Sequence, residues 1–374
     1  MIILERTMRD ILICTVGTSL LGNLARSEDA DILSLLEERN EKGVVVALGK
    51  IAQEERICGA EINSIASILK HGYLNERSRL VFLVSDTDDG RFLGQVLKLY
   101  YELSGKSWRF DDVEVSTIEG LTHADARLFR TSGLRNLVRL IARTVEQYGS
   151  NRIVINATGG YKAQISFAGM IAQALDIPVC YLFEQFSEVI ELPPQPISLD
   201  LSFWLENVDI FYDLAADEAG EDPTERDERF GSLVDMEDID GQKVIGLSAV
   251  GQLFHDTFRY RFQQQRIRIL PLDAGLLSEK KVIKYEDKNK GKHHGLQKWL
   301  ERLRQVPYLT RLETFYYNPD LPTKNKFRKT SKGDVSKVEG WFSDGKATTK
   351  FNVVTTAETE GQRDAVLADL KEIL

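Results

Sequence analysis

Two kinds of apolar run alternate along the first two hundred positions. Short, nearly continuous runs at 11–16, 80–84, 113–119, 152–155 and 179–183 read as buried strands. Between them, apolar residues recur at helical spacing over 31–39, 59–71, 91–103, 134–148 and 163–175. Leu134, Leu137, Val138, Ile141 and Val145 form the i, i+3, i+4 stripe of a half-buried helix. This alternation predicts a doubly wound α/β domain over residues 1–200. Pro193, Pro194 and Pro196 close it, because prolines so dense sustain neither a helix nor a central strand.

The pattern then changes twice. Residues 201–278 open on an amphipathic stretch (Phe203, Trp204, Leu205, Val208, Ile210) and pass into an acidic run, read as an exposed, unstructured loop near 219–229. Residues 244–251 lead into a helical pattern at 252–265, suggesting a mainly helical, winged-helix-like or helix-turn-helix-like segment that serves as a linker or dimer contact. Residues 279–374 read as a compact α+β domain. Its elements are a strand at 281–286, a basic turn at 288–294, helical spacing over 295–312 divided by Pro307, strands at 326–330, 335–342 and 348–356, and a helix at 360–373. Asp344-Gly345 between the last two strands is a hairpin signal.

Charge sharpens this division. The net charge of −9 conceals a segment from 280 to 350 with 18 Lys/Arg against 8 Asp/Glu, a net of +10. The rest of the chain therefore carries −19, with 14 Asp/Glu and 2 Lys/Arg between 206 and 240. A basic segment inside an acidic protein points to a local polyanion contact. No run of 18 apolar residues exists, and the N-terminus is charged too early for a signal peptide, so no membrane span or leader is expected. Cys14, Cys58 and Cys180 are widely spaced and form no CxxC pair, which argues against a zinc site or disulfide framework and for a cytoplasmic protein.

Candidate chemistry sits at two strand-to-helix turns. Asn156-Ala157-Thr158-Gly159-Gly160-Tyr161-Lys162 joins a buried strand to a helix. Its glycines let a ligand approach the backbone, its free amides and the helix dipole favour an anion, and Lys162 adds a full charge. Gly17-Thr18-Ser19 follows the first strand in the same way. In an open parallel sheet, two such loops can flank one site at the carboxyl edge. The loop at 85–90 is Asp-rich, but an N-cap and turn explain it more simply than a metal.

Three nuclease chemistries could belong to the basic domain. None of the five histidines (His71, His123, His255, His293, His294) follows an arginine by five to seven positions, which disfavours the HEPN pattern. A metal-dependent nuclease would need clustered carboxylates; Glu286-Asp287-Lys288 and Glu279-Lys280-Lys281 match a short Glu-x-Lys pattern, but no separate acidic partner is obvious. Metal-free cleavage by the RNA's own 2′-hydroxyl needs cations that hold the phosphate. Lys324, Lys326, Arg328, Lys329, Lys332 and Lys337 lie on or between two adjacent strand candidates, and Lys350 on the next hairpin. Lys326 and Arg328, two apart, share one side of a strand.

The paired turns, Thr15 to Leu21 and Asn156 to Ala163, resemble those of the CARF sensor domains of type III CRISPR ancillary effectors. The resemblance covers residues 1–200 and implies a Rossmann-like homodimer that binds a cyclic oligoadenylate, cyclic tetra-adenylate being expected, as an allosteric activator. It implies ligand contacts from Gly17, Thr18, Ser19, Thr158, Gly159, Gly160, Tyr161 and Lys162, and leaves open whether the sensor degrades its own activator. The C-terminal order of elements is similar to that of the RelE messenger-RNA interferases, so the whole chain resembles the CARF–RelE interferases. That implies a metal-independent, ribosome-dependent mRNA endoribonuclease without a prosthetic group, acting in antiviral defence. Lys326 and Arg328 match the basic second strand of that family, and Lys337 is the nearest candidate on the third. The fourth strand departs from the family, with Thr355 and Thr356 where a basic residue is expected. Lys292, His293, Lys324, Lys329, Lys332 and Lys350 are expected RNA contacts. The competing expectations are a CARF-gated metal-dependent nuclease acting on DNA or free RNA, and a CARF-gated transcription regulator.

Overall fold

A computed structural model describes residues 9–103, 108–183, 186, 188–192, 201–216, 222–239, 242–330 and 333–373. Lys332 and the prolines at 193, 194 and 196 lie outside the described residues. The chain divides into two compact units. Unit 1 comprises Met1–Leu199, Gly231–Asp235 and Leu247–Thr257; unit 2 comprises Asp200–Phe230, Met236–Gly246 and Phe258–Leu374. Residues 201–278 are thus shared between the two.

Unit 1 runs β1 (Ile11–Thr15), α1 (Ser19–Leu24), α2 (Ala30–Glu37), α3 (Glu41–Leu48), α4 (Gly59–Lys70), β2 (Arg79–Ser85), α5 (Asp88–Leu103), β3 (Asp112–Ile118), a turn α6 (Ala126–Leu128), α7 (Leu134–Tyr148), β4 (Ile153–Asn156), α8 (Lys162–Ala174), β5 (Val179–Tyr181) and β6 (Ile190–Leu192). The strands form one sheet in the order β3–β2–β1–β4–β5–β6, parallel except for the antiparallel edge pair β5–β6. Continuous apolar runs suit this sheet because both of its faces are covered: Leu12, Cys14, Leu80, Phe82 and Val154 on one face and Ile11, Ile13, Val81 and Ile155 on the other are all buried. The expected α7 stripe is buried as well. The chain proceeds from β1 to β2 and β3 on one side and from β4 to β5 on the other. The strand order therefore reverses between β1 and β4, and the loops after those strands meet at the switch point. The loop at 85–90 is a capping turn: Thr87 Oγ1 accepts from Gly90 N at 3.0 Å, and Asp86 pairs with Arg91 at 2.7 Å. Helix α3 and strand β6, which the periodicity did not single out, complete the unit.

Beyond residue 200 the elements are α9 (Leu201–Glu206), α10 (Val208–Ala215), a ribbon of β7 (Val234–Ile239) and β8 (Gln242–Leu247), α11 (Ala249–Ile269), β9 (Val282–Tyr285), α12 (Leu296–Leu303), β10 (Leu309–Asn318), β11 (Lys326–Lys329), β12 (Lys337–Ser343), β13 (Thr348–Thr355) and α13 (Glu360–Lys371). The helix-turn-helix expectation is replaced by this β-ribbon and a single 21-residue helix. Of the loop expected as unstructured near 219–229, residues 219–221 lie outside the described residues; Pro223–Glu225 and Glu228–Ser232 form short 3-10 turns, and Phe230, just past that loop, is fully buried against Phe203 and Phe211 at ring distances of 5.3 Å.

Strands β9–β13 form a five-stranded sheet in the order β11–β12–β13–β10–β9, in which only β9 and β10 are parallel. The helix expected over 295–312 ends at Leu303, and residues from Leu309 are a ten-residue strand. Its Leu309 and Leu312 imitate helical spacing. A register shift between Leu309 and Arg311 turns both leucines to the core, while β-branched and aromatic residues at 310 and 314–317 favour the strand.

Candidate functional site

In unit 1 the two turns interlock. A Cβ on Gly17 would lie 2.6 Å from Gly160 N, and Gly160 holds φ +110°, a conformation that favours glycine. Thr15 Oγ1 donates to Gly159 O at 2.5 Å. Thr158 Oγ1 donates to Asn156 Oδ1 at 2.7 Å and accepts from Leu182 N at 3.0 Å, tying the second loop to β5's far end. Tyr161 N donates to Gln164 Oε1 at 3.2 Å, and Gln164 Nε2 reaches Leu83 O at 3.1 Å. The Tyr161 ring stands edge-on to Phe129 at 5.3 Å, and its hydroxyl lies 3.2 Å from His123 Nδ1. Lys162 begins the 13-residue α8 and is exposed, as are Thr18 and Ser19.

The helical pattern at 59–71 concealed Glu61, which underlies both loops. Its carboxylate is 1% exposed and accepts from Gly17 N at 2.7 Å, with Ser19 Oγ at 3.4 Å. Burial pushes its pKa up, and the hydrogen bond from Gly17 opposes that only in part. The Gly17 amide is therefore engaged rather than offered to a ligand. With α1 only six residues long, anion attraction rests on the α8 end and Lys162. Beside the loops opens a cleft of ≈ 490 Å³, lined in part by Ser19, Arg56, Lys70, His71, Thr158 and Phe183. A glutamate in the first turn of a helix reads as dipole complementation, so the sequence carried no sign of its placement.

In unit 2, strand register assembles a cationic face. Lys326 of β11 pairs with Trp341 of β12, which pairs with Lys350 of β13, which pairs with Tyr316 of β10. The next row is Arg328, Glu339, Asn352 and Glu313. Lys337, two residues before Glu339, shares the face. Lys326 Nζ lies 4.2 Å and Lys350 Nζ 3.8 Å from the Trp341 ring centroid, with Arg328 at 5.7 Å. Trp341 Nε1 donates to Glu339 Oε1 at 2.5 Å. Carboxylates partner several cations: Asp334 at 3.1 Å from Lys337, Asp213 at 3.8 Å from Arg328, Glu339 at 3.9 Å from Lys350. The lysines stand out in the sequence and Trp341 does not, although the alternation Lys337, Glu339, Trp341 places it among them.

Two of the expected RNA contacts lie away from this face. His293 is buried, not surface-exposed: its Nδ1 meets Thr349 Oγ1 at 2.8 Å, and its ring packs against Phe342 at 4.9 Å. Lys329 has the opposite parity to Lys326 and Arg328, so it faces the helices, where it pairs with buried Asp364 at 3.1 Å and donates to Glu206 O at 2.6 Å. Lys324 is exposed ahead of β11, and Lys292 is exposed in the turn between β9 and α12.

Residues 56–195 match the model of a CRISPR-associated protein family, Cas_APE2256. The match contains the loop at 156–162 and not the one at 15–19. No curated protein matches the chain. Among solved structures, Can2 from Sulfobacillus thermosulfidooxidans in complex with cyclic tetra-adenylate is 11% identical, covering 71% of this chain and 68% of its own, at a TM-score of 0.25. Enterococcus italicus Csm6 bound to cyclic hexa-2′-fluoro-hexa-dAMP is 11% identical, covering 56% and 47%, at 0.29. Protein VC1899 from Vibrio cholerae is 10% identical, covering 93% and 78%, at 0.24. At such scores these likenesses carry no argument about fold or activity. Among the described residues, no helix is long and apolar enough to cross a membrane.

Proposed function

We propose that the chain is a CARF-type ancillary effector of type III CRISPR defence, in which unit 1 binds a cyclic oligoadenylate and unit 2 cleaves messenger RNA in response. The observation that carries the sensor reading is the meeting of two small, hydroxyl-bearing loops at the β1/β4 switch point, one of them inside the stretch matched to a CRISPR-associated family. A cyclic oligonucleotide is a symmetric polyanion, which suits α8's positive end, Lys162 and a homodimer whose two copies present the same loops. Cyclic tetra-adenylate is the form proposed.

The effector reading rests on the register of Lys326, Trp341 and Lys350 across three strands, with Arg328 and Lys337 on the same face. In the proposed RelE-like reaction, the RNA 2′-oxygen forms a bond to the adjacent phosphorus and the bond to the 5′-oxygen breaks. The 2′-hydroxyl proton leaves as the 5′-oxygen gains one, and the extra negative charge on the non-bridging phosphate oxygens is held by Lys326, Arg328 and Lys337. Trp341 offers a ring on which a base can stack once a lysine moves aside to a phosphate. Ribosome-bound mRNA is the proposed substrate and metal is not required.

The test is mRNA cleavage in a translating extract and on naked RNA, each with cyclic tetra-adenylate, with EDTA added to the naked RNA. Cleavage that needs the ribosome supports the reading. Cleavage of naked RNA that EDTA stops transfers the chemistry to carboxylates and leaves only the sensor half.

A further inference from the structure

The buried carboxylate beneath the two loops is the feature the proposed function leaves unused. Glu61 stands where Gly159 leaves room for it: a Cβ at Gly159 would fall 2.0 Å from Glu61 Oε1 and 3.0 Å from Gly17 N. One side chain therefore touches the loop after β1 and fills the space under the loop after β4. It is 1% exposed, and the groups that act on it among the described residues are hydrogen-bond donors, with no cation among them. The groups it touches are the Gly17 amide and the Ser19 hydroxyl of the first loop; the nearby titratable groups that feel its charge are the Cys14 thiol of β1 and the Tyr101 phenol of α5. Burial drives the thiol and the phenol far up their scales, so both stay neutral and offer no countercharge. Lys162, at the start of α8, is exposed to solvent.

We propose that Glu61 is a positioning residue that sets the spacing of the two loops and takes up a proton from solvent when an anionic nucleotide binds beside them. This rests on the reading of unit 1 as a cyclic-oligoadenylate sensor. A phosphate held at the loops places a second negative charge near a carboxylate that lacks a cation. The cheaper state is the one in which Glu61 is the neutral acid. Burial already biases Glu61 toward that state before ligand arrives, and the bound anion raises its pKa further. The sign follows. At a pH between the free and bound values, binding adds a fraction of a proton, and affinity weakens as pH rises, by at most about tenfold per pH unit for one proton. Below both values the acid is already neutral and affinity is flat.

The experiment is calorimetric titration of the full chain with cyclic tetra-adenylate at one pH in two buffers of different ionisation heat, with affinity measured from pH 5.5 to 8. Wild type should take up a fraction of a proton per ligand and lose affinity as pH rises through the interval between its free and bound pKa values. Glu61→Gln keeps an oxygen acceptor for the Gly17 amide, and should show no uptake, a flat profile and tighter binding than wild type at pH 8. His71→Gln and His123→Gln should keep the uptake, which separates Glu61 from the two histidines near the site even if Glu61→Gln folds poorly. Binding by wild type without proton uptake, or equal uptake in a folded Glu61→Gln, overturns the inference. No binding of the ligand at any pH overturns the sensor reading itself, and the inference with it.

Discussion

Replacing Gly159 by alanine tests the packing that unites the two loops. The added Cβ would lie 2.0 Å from Glu61 Oε1 and 2.9 Å from its carboxyl carbon. The carboxylate cannot yield outward, because it is buried and held by Gly17 N at 2.7 Å. Retreat breaks that bond, and a hydrogen bond to a charged group is worth about 1.5–3 kcal/mol. Forcing one carbon into a filled site costs a further ~1–3 kcal/mol. With partial relaxation the loss is about 3–5 kcal/mol, which lowers the melting temperature by roughly 6–20 °C for a unit of this size. Gly22 is the control, because nothing lies within 4 Å of a Cβ built there and alanine is the better helix former. Scanning calorimetry on both variants reads the difference. A Gly159→Ala protein within about 1 kcal/mol of wild type, well inside the range of an ordinary substitution, would refute the cross-brace.

The other expectations concern one residue each. Lys162→Glu should weaken cyclic tetra-adenylate binding at least ~30-fold, since it removes one charge-assisted contact of ~2 kcal/mol and adds a repulsion; circular dichroism should be unchanged because the residue is exposed. Trp341→Ala should weaken single-stranded RNA binding by roughly 5–150-fold, the worth of one stacked base at ~1–3 kcal/mol, with Trp341→Phe retaining most of it in an anisotropy titration. His293→Ala should lower stability by about 2–4 kcal/mol through a cavity and a stranded Thr349 hydroxyl, as read by urea unfolding, and leave RNA affinity intact where the protein is folded.

The legible parts of this chain are those whose pattern is local. The parallel strands of unit 1 were continuous apolar runs bounded by helical stripes, and α7 and α8 fell within a residue or two of expectation. The two glycine turns stood out for the same reason. Strand β10 was misread because Leu309 and Leu312 are three apart, and only the register shift reconciles that spacing with a sheet. Residue parity, a tertiary consequence once β11 exists, removed Lys329 from the cationic face and brought Trp341 onto it. Glu61 was invisible because its meaning lies in Gly17 and Gly159, 44 residues before it and nearly a hundred after. Phe230, in the most acidic stretch, shows that composition did not set order there: three aromatic rings outweighed the surrounding charge.

In the proposed function, an anion at unit 1 switches on RNA cleavage by the cationic face of unit 2. The most direct measurement is the mRNA cleavage rate in a translating extract, with and without cyclic tetra-adenylate, for wild type, Lys162→Glu and the double variant Lys326→Glu/Arg328→Glu. Activator-dependent cleavage is expected from wild type alone, with the double variant still binding activator and Lys162→Glu still binding RNA. Cleavage by wild type at the same rate without activator, or undiminished cleavage by the double variant, would contradict the proposed function.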